Sequence, residues 1–218
     1  GGSFKPTGVT PRAKLAVIIP FRNRHLHLRM LMHYLHPVLR SQRFEYRIYV
    51  INQTNEGVFN KGSLMNVGYL EALKHDNYDC YVFHDVDLLP EEYRCLYTCG
   101  NDVRHISTGI SKFGYKIPVG VTVGGISAFT RRQMALVNGW SNEFYGWGGE
   151  DDDMSIRIAA VGLKIRRPSP TLCKFTSLPH GADLGNPLNK NRFRLLQTSK
   201  SKMAANGVNS VRYAVLGV

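Results

Sequence analysis

The chain has 218 residues, 43% hydrophobic and 20% charged, enough apolar material for one domain with a sizeable core and unlike a disordered or fibrous composition. Lys and Arg number 28 against 16 Asp and Glu, and the formal charge of +12 favours an anionic partner: nucleic acid, a phosphorylated small molecule or an acidic membrane surface. The longest apolar run, AVIIP at 16–20, is far short of the roughly 20 residues of a membrane span, so any anchoring or targeting segment is expected outside these residues.

The basic residues are scattered, with no RNP, zinc-finger or basic-helix pattern, which disfavours nucleic acid as the partner. Cys80, Cys95, Cys99 and Cys173 lack the paired spacing of a zinc site. One disulfide, from Cys80 to Cys95 or Cys99, fits an oxidising lumen.

In chain order, KLAVIIP (14–20) is a continuous β-branched run stopped by Pro20, which predicts a strand buried on both faces. HLHLRMLMHYLHPVL (25–39) repeats leucine at three- and four-residue steps and predicts a helix whose last turn Pro37 distorts. YRIYVIN (46–52) is a second strand; the sequon at Asn52 follows it, which argues against occupancy. A helix over 62–74 would bury Leu64, Val67, Leu70 and Leu73, and YVFHDVD (81–87) is a third strand running into acids. This βαβαβ order predicts a doubly wound, mostly parallel α/β sheet flanked by helices, with ligands beyond the carboxyl ends of its strands. Further on, TRRQMALVNGW predicts a short helix capped by Thr130 and ended by Gly139, and another helix runs from about Asp151 to Ala160. KIRRPSP reads as a strand with a turn, and a last helix precedes a short strand, SVRYAVLGV. No composition shift marks a linker, so residues 1–218 are read as a single domain whose first half, 1–90, is a nucleotide-binding candidate.

Asp85 and Asp87, two apart at a strand end, would share a face and call for a cation beside them. Mg²⁺ or Mn²⁺ with a substrate diphosphate meets that demand; a pair of turn-capping acids is the plainer alternative. Glu150, Asp151, Asp152 and Asp153 suit the first turn of a helix, but the macrodipole accounts for one or two acids rather than four. They read as acceptors for a polyhydroxylated ligand, one of them a general base, on a loop where Gly146, Gly148 and Gly149 give freedom and Trp147 stacks on a sugar face. Lys112, Phe113 and Tyr115 form an aromatic and cationic wall, and Arg22 and Arg24 suit diphosphate oxygens.

Taken together, IIPFRNR, YVINQ, FNKGSLMNVGYLEAL, FHDVDLLP, RHIS, KFGY, GGISAF, GWGGEDDD and the segment from His180 to Phe193 resemble the β-1,4-galactosyltransferase family over nearly the whole chain. The resemblance implies a GT-A glycosyltransferase fold and inverting transfer from a UDP-sugar to the 4-hydroxyl of a GlcNAc-terminated glycan, with Mn²⁺ or another divalent metal. It also implies a Golgi lumenal setting behind a type II membrane anchor. Carried over by motif, Asp87 and His180 would hold the metal and Asp151 would be the catalytic base. Pro20, Phe21, Arg22, Arg24, Phe59 and Lys61 would line the uridine-diphosphate site, and Asp85, Val86, Thr122, Trp147 and Gly149 would complete the donor side. Glu150, Asp152, Gly148, Phe113 and Tyr115 would hold the acceptor, whose N-acetyl group would meet Arg192, Phe193 and Leu196. A non-catalytic carbohydrate-binding module is the competing reading of the same aromatic and acidic residues.

Three departures stand out. Lys61 replaces the family's usual arginine, losing bidentate geometry. Where members carry a methionine ligand before the histidine, this chain has Ser177, or Phe175 if the alignment shifts, which predicts weaker or broader metal dependence. Thr122 stands where a tyrosine is common, opening room for an N-acetylhexosamine donor, UDP-GalNAc or UDP-GlcNAc, beside UDP-Gal.

Overall fold

The computed structural model describes residues 2–117, 122–181 and 184–217. A short strand β1 (Ser3–Phe4) precedes β2 (Lys14–Phe21), which is buried along nearly its whole length, as its unbroken apolar run requires. Helix α1 (His25–Ser41) buries Leu31, Leu35 and Leu39 at the predicted steps, and it continues through Pro37 to Ser41. Next come β3 (Glu45–Asn52), with Asn52 exposed at its end, and α2 (Lys61–His75). The side chain of Asn60 caps α2 by accepting from the amide of Ser63.

The buried face of α2 differs from the one expected. Leu64 is buried as expected, but Met65, Tyr69 and Ala72 point inward with it, whereas Val67, Leu70 and Leu73 are only partly buried. Gly68 decides this orientation: a Cβ there would come within 2.4 Å of Ile18, so the glycine lets the helix lie close on β2.

Strand β4 (Cys80–His84) ends before the acids, and β5 (Leu88–Pro90), β6 (Val103–His105) and β7 (Gly109–Ile110) follow. After β8 (Ile126–Phe129), helix α3 (Arg131–Val137) carries the expected Thr130 cap as a full capping box with Gln133; left-handed Asn138 ends it, just before Gly139. The remaining elements are α4 (Glu150–Ala160), β9 (Ile165–Arg166), β10 (Lys174–Ser177) and α5 (Arg192–Lys202). Residues 211–217, expected as a strand, have no regular structure and are largely exposed.

The central sheet has the order β1-β3-β2-β4-β8-β6-β9, and a second sheet has the order β5-β10-β7. Strands β3, β2 and β4 are parallel, and most paired positions of the central sheet are too, while β8 joins β4 antiparallel. Buried clusters lie on both faces of the central sheet, one under α1 and the other under α2, α3 and α4. Two disulfides are formed: Cys80–Cys99, one of the expected pairings, which joins the first half to the second, and Cys95–Cys173, within the second half, which was not expected.

Candidate active site

A cavity of about 410 Å³ opens between the ends of β2 and β4 and the start of α4. This is where a doubly wound sheet places its ligands. Pro20, Arg22, Arg24, Phe59, Lys61, Asp85, Val86, Asp87, Phe113 and Thr122 line it, as do Trp147, Gly148, Gly149, Glu150, Asp151, Asp152 and His180.

Because β4 stops at His84, the two aspartates lie on a turn rather than on one strand face, as had been expected. The turn is fixed by Asp85 N–H donating to Gly125 O at 2.9 Å and by Leu178 N–H donating to Asp87 O at 2.8 Å. The second bond joins the end of β10 to the acidic turn, and His180 lies two residues further along. Its Nε2 is 3.5 Å from Asp87 Oδ2. Burial, and then the charge of Asp85, push the Asp87 carboxyl upward, so a cation there would relieve it. One carboxylate oxygen and one imidazole nitrogen at this separation fit a divalent ion that draws its remaining ligands from a bound molecule's oxygens. Among the described residues no group of three or more His, Cys, Asp or Glu side chains is close enough to hold a metal. Of the two candidates for the usual methionine's place, Phe175 is fully buried in the core, and Ser177, at the end of β10, pairs in register with Leu88.

Lys61, at the first turn of α2, reaches across the cavity. Its Nζ lies 3.0 Å from Asp85 Oδ1, 3.5 Å from Glu150 Oε1 and 3.3 Å from Asp151. Burial alone would lower its proton affinity, but Asp151, Asp85 and Glu150 outweigh that and hold the ammonium charged. Desolvation raises the Asp151 carboxyl to about 7, against the pull of Lys61 and with the push of Glu150 and Asp85. Glu150 Oε2 is buried without a hydrogen-bond partner among the described residues, an acceptor placed for a ligand hydroxyl.

The acidic run divides by helical position. Glu150 and Asp151 face Lys61, and Asp152 sits exposed at the cavity mouth. Asp153 turns into the core and pairs with Arg157 at 2.6 Å. That guanidinium also donates to the carbonyls of Gly139 and Asn206. Asp153 therefore secures the helix rather than a ligand. Gly149, with φ of 101°, opens α4, and a Cβ on it would strike Phe144 at 2.6 Å.

Arg22 lines the cavity and also braces its edge. Its guanidinium donates to Gly57 O and Gly185 O at 2.6 Å and lies over the Phe59 ring, tying two loops at the cavity edge. The Trp147 loop is tied as well: Gly146 N–H donates to Phe59 O, Trp147 N–H to Pro187 O, and Asn189 N–H to Trp147 O. The Trp147 ring itself is 62% exposed.

Five expected residues do not line the cavity. Phe21 is buried edge-on to His25. The Tyr115 hydroxyl donates to Glu91 at 2.9 Å. Arg192 packs its stem against Gly148 and stacks on the exposed Phe193, and Leu196 follows one turn along α5. Conversely, His105, Ser107, Gly124, Gly125 and Asn186 line the cavity without having been singled out. The only sequence signal for them was membership in the RHIS and GGISAF segments and, for Asn186, in the segment from His180 to Phe193.

Residues 1–100 match the N-terminal region of glycosyl transferase group 7, and residues 104–181 match the N-terminal domain of galactosyltransferase. The chain is 48% identical over its whole length to mouse β-1,4-galactosyltransferase 2 and 44% identical to rat β-1,4-galactosyltransferase 4. It spans 59% and 63% of those proteins, about six-tenths of the curated relatives it matches. The structure resembles that of a mutant Drosophila β-1,4-galactosyltransferase 7 in complex with manganese, UDP-Gal and xylobiose. The TM-score is 0.78 at 31% identity, over 94% of this chain and 86% of that one. The fold is accordingly of the GT-A type, and the chain belongs to the β-1,4-galactosyltransferase family.

Proposed function

We propose that this chain is the catalytic region of an inverting, metal-dependent β-1,4-glycosyltransferase. It takes a hexose or N-acetylhexosamine from a UDP-sugar and transfers it to the 4-hydroxyl of a terminal GlcNAc on a glycan. The observation that carries this reading is the layout of one cavity: Asp87 and His180 converge at one end, Glu150 and Asp151 face the other, and Lys61 stands between Asp85 and Asp151. The complex of the Drosophila relative with manganese, UDP-Gal and xylobiose supports the same assignment of ligand classes.

Asp87 and His180 would hold Mn²⁺, which when bound supplies Lewis-acid stabilisation of charge on the leaving diphosphate. Arg24, Phe59 and Pro20 border the nucleotide end of the cavity. Asp151 accepts the proton of the attacking 4-hydroxyl, and Glu150 and Asp152 accept hydrogen bonds from the acceptor sugar. Attack from the face opposite the diphosphate inverts the anomeric centre. Residues 1–90 form the donor-binding half and 91–218 the acceptor-binding half, in a protein whose setting is the Golgi lumen. No helix among the described residues is long and apolar enough to cross a membrane.

Thr122 lines the donor side, and its short side chain leaves space a tyrosine would fill. UDP-GalNAc or UDP-GlcNAc is therefore expected to serve as well as UDP-Gal or better. A panel of the three donors against GlcNAc-terminated acceptors, read by UDP release and by NMR of the product linkage, tests both parts. Transfer confined to UDP-Gal would retire the donor assignment. Sugar binding with no UDP release from any donor would leave the carbohydrate-binding module as the reading.

A further inference from the structure

At the cavity floor lies a set of polar contacts that the reaction as drawn does not use. His105, at the end of β6, is only 2% exposed. Its Nδ1 lies 3.1 Å from Arg167 Nε, and its Nε2 lies 2.9 Å from Gly124 O. Arginine keeps its protons, so Nδ1 must be the acceptor and Nε2–H the donor; the arginine thereby selects the tautomer. Ser107 Oγ donates to the same Gly124 carbonyl at 2.9 Å and accepts from Ile126 N–H at 2.8 Å. Arg167 Nη2 donates to Thr122 O at 2.9 Å.

Segment 122–125 is thus gripped from below at two carbonyls, and its upper side forms the cavity wall. That side has little latitude. A Cβ at Gly124 would fall 2.4 Å from Asp151 Oδ2, and one at Gly125, whose φ is 84°, would fall 2.5 Å from Ser107 Oγ. Any rise of the segment would press on Asp151, and any drop would deepen the space beside Thr122.

We propose that His105 and Arg167 are positioning residues that set the height of the Thr122–Gly124 wall, and through it both donor-sugar selectivity and the placement of Asp151. The proposal rests on the glycosyltransferase reading above. His105 serves as a neutral strut rather than a proton carrier: burial lowers its imidazole to about 4, below the range in which a transferase of this kind would work.

The test uses Arg167→Met, at a partly exposed site, with His105→Phe as the second variant and Arg167→Lys, which restores one donor, as the rescue. Three quantities are read on the whole chain: affinity for UDP with Mn²⁺ by calorimetry, kcat, and the ratio of kcat/KM for UDP-Gal against UDP-GalNAc. The expected result is UDP affinity within about 2-fold of the parent, kcat down about 10-fold, and a donor ratio shifted about 10-fold, the scale of one buried hydrogen bond. Arg167→Lys should recover part of the ratio. An unchanged donor ratio in a folded Arg167→Met protein would overturn the proposal, as would UDP affinity and activity falling together with thermal stability, the mark of a merely structural role. A parent protein that turns over no UDP-sugar would instead refute the activity on which the proposal rests.

Discussion

Lys61 holds its ammonium nitrogen 3.3 Å from both carboxylate oxygens of Asp151, a residue 90 positions later in the chain. The cation opposes the desolvation that lifts Asp151 to about 7. A base must be deprotonated to work, so turnover should rise as pH passes upward through about 7 and level off above it. Lys61→Met removes the opposing charge and should carry that rising limb to higher pH by about 1 unit or more. The pH dependence of kcat/KM for the donor, which reports the ligand-free enzyme, measures this, and a limb that stays in place contradicts the coupling.

Asp151→Asn should lower turnover by about 10²–10⁴-fold while leaving the affinity for UDP and Mn²⁺ nearly intact. It should also stabilise the ligand-free protein. A carboxyl whose folded value lies near 7 rather than 3.8 binds its proton more tightly in the native state, so stability is lost as pH rises from about 4 to about 7. The shift corresponds to at most about 4 kcal/mol, reduced by relaxation of the neighbours. The variant should therefore melt above the parent at pH 8 and by a smaller margin at pH 5, a comparison thermal unfolding makes directly.

Ser177 offers a hydroxyl next to Leu88 on the neighbouring strand, close to the turn that bears Asp87. Ser177→Met should tighten Mn²⁺ binding in the presence of UDP by about 10-fold, the scale on which changes around a metal's ligands are felt. It should also narrow the range of metals that support turnover. Electron paramagnetic resonance of free Mn²⁺ during titration gives the affinity, and His180→Ala, expected to bind poorly, serves as the reference.

Cys95 and Cys173 close a loop of 78 residues, and Cys173 directly precedes β10, the strand that leads to His180. Replacing both by alanine should cost about 2–4 kcal/mol in denaturant unfolding. Metal affinity should fall as well, because β10 loses its anchor. The Cys80–Cys99 pair, spanning 19 residues, should cost less when removed.

The elements legible in the sequence were those with a long run of one period. The buried stripe of β2 and the leucine steps of α1 each carry enough side chains to fix type and limits. Strands β5, β8 and β10 have three or four residues, too few for a period, and each is held by pairing with a distant partner. SVRYAVLGV carries strand-like valines, but among the described residues it pairs with no strand of either sheet. The face of α2 was misread because a glycine, not a leucine, governs how near it lies to β2.

At the site, residue types could be read but not their convergence. Asp85, Asp87 and Asp151 stood out as acids, and the motif resemblance named them. That Lys61 would join Asp85 to Asp151 needed the fold, as did the removal of Asp153 from the cavity by Arg157. The Arg167–His105 strut left no local signal, since its members lie 62 positions apart.

The backbone bonds that stitch Trp147 to Pro187 and Asn189 make two stretches of chain a single mechanical piece. A movement of the Trp147 backbone that keeps those bonds must carry 187–189 with it, and the start of α5 after them. Whatever sugar the indole settles upon would then be greeted by Arg192 and Phe193 in the same stroke.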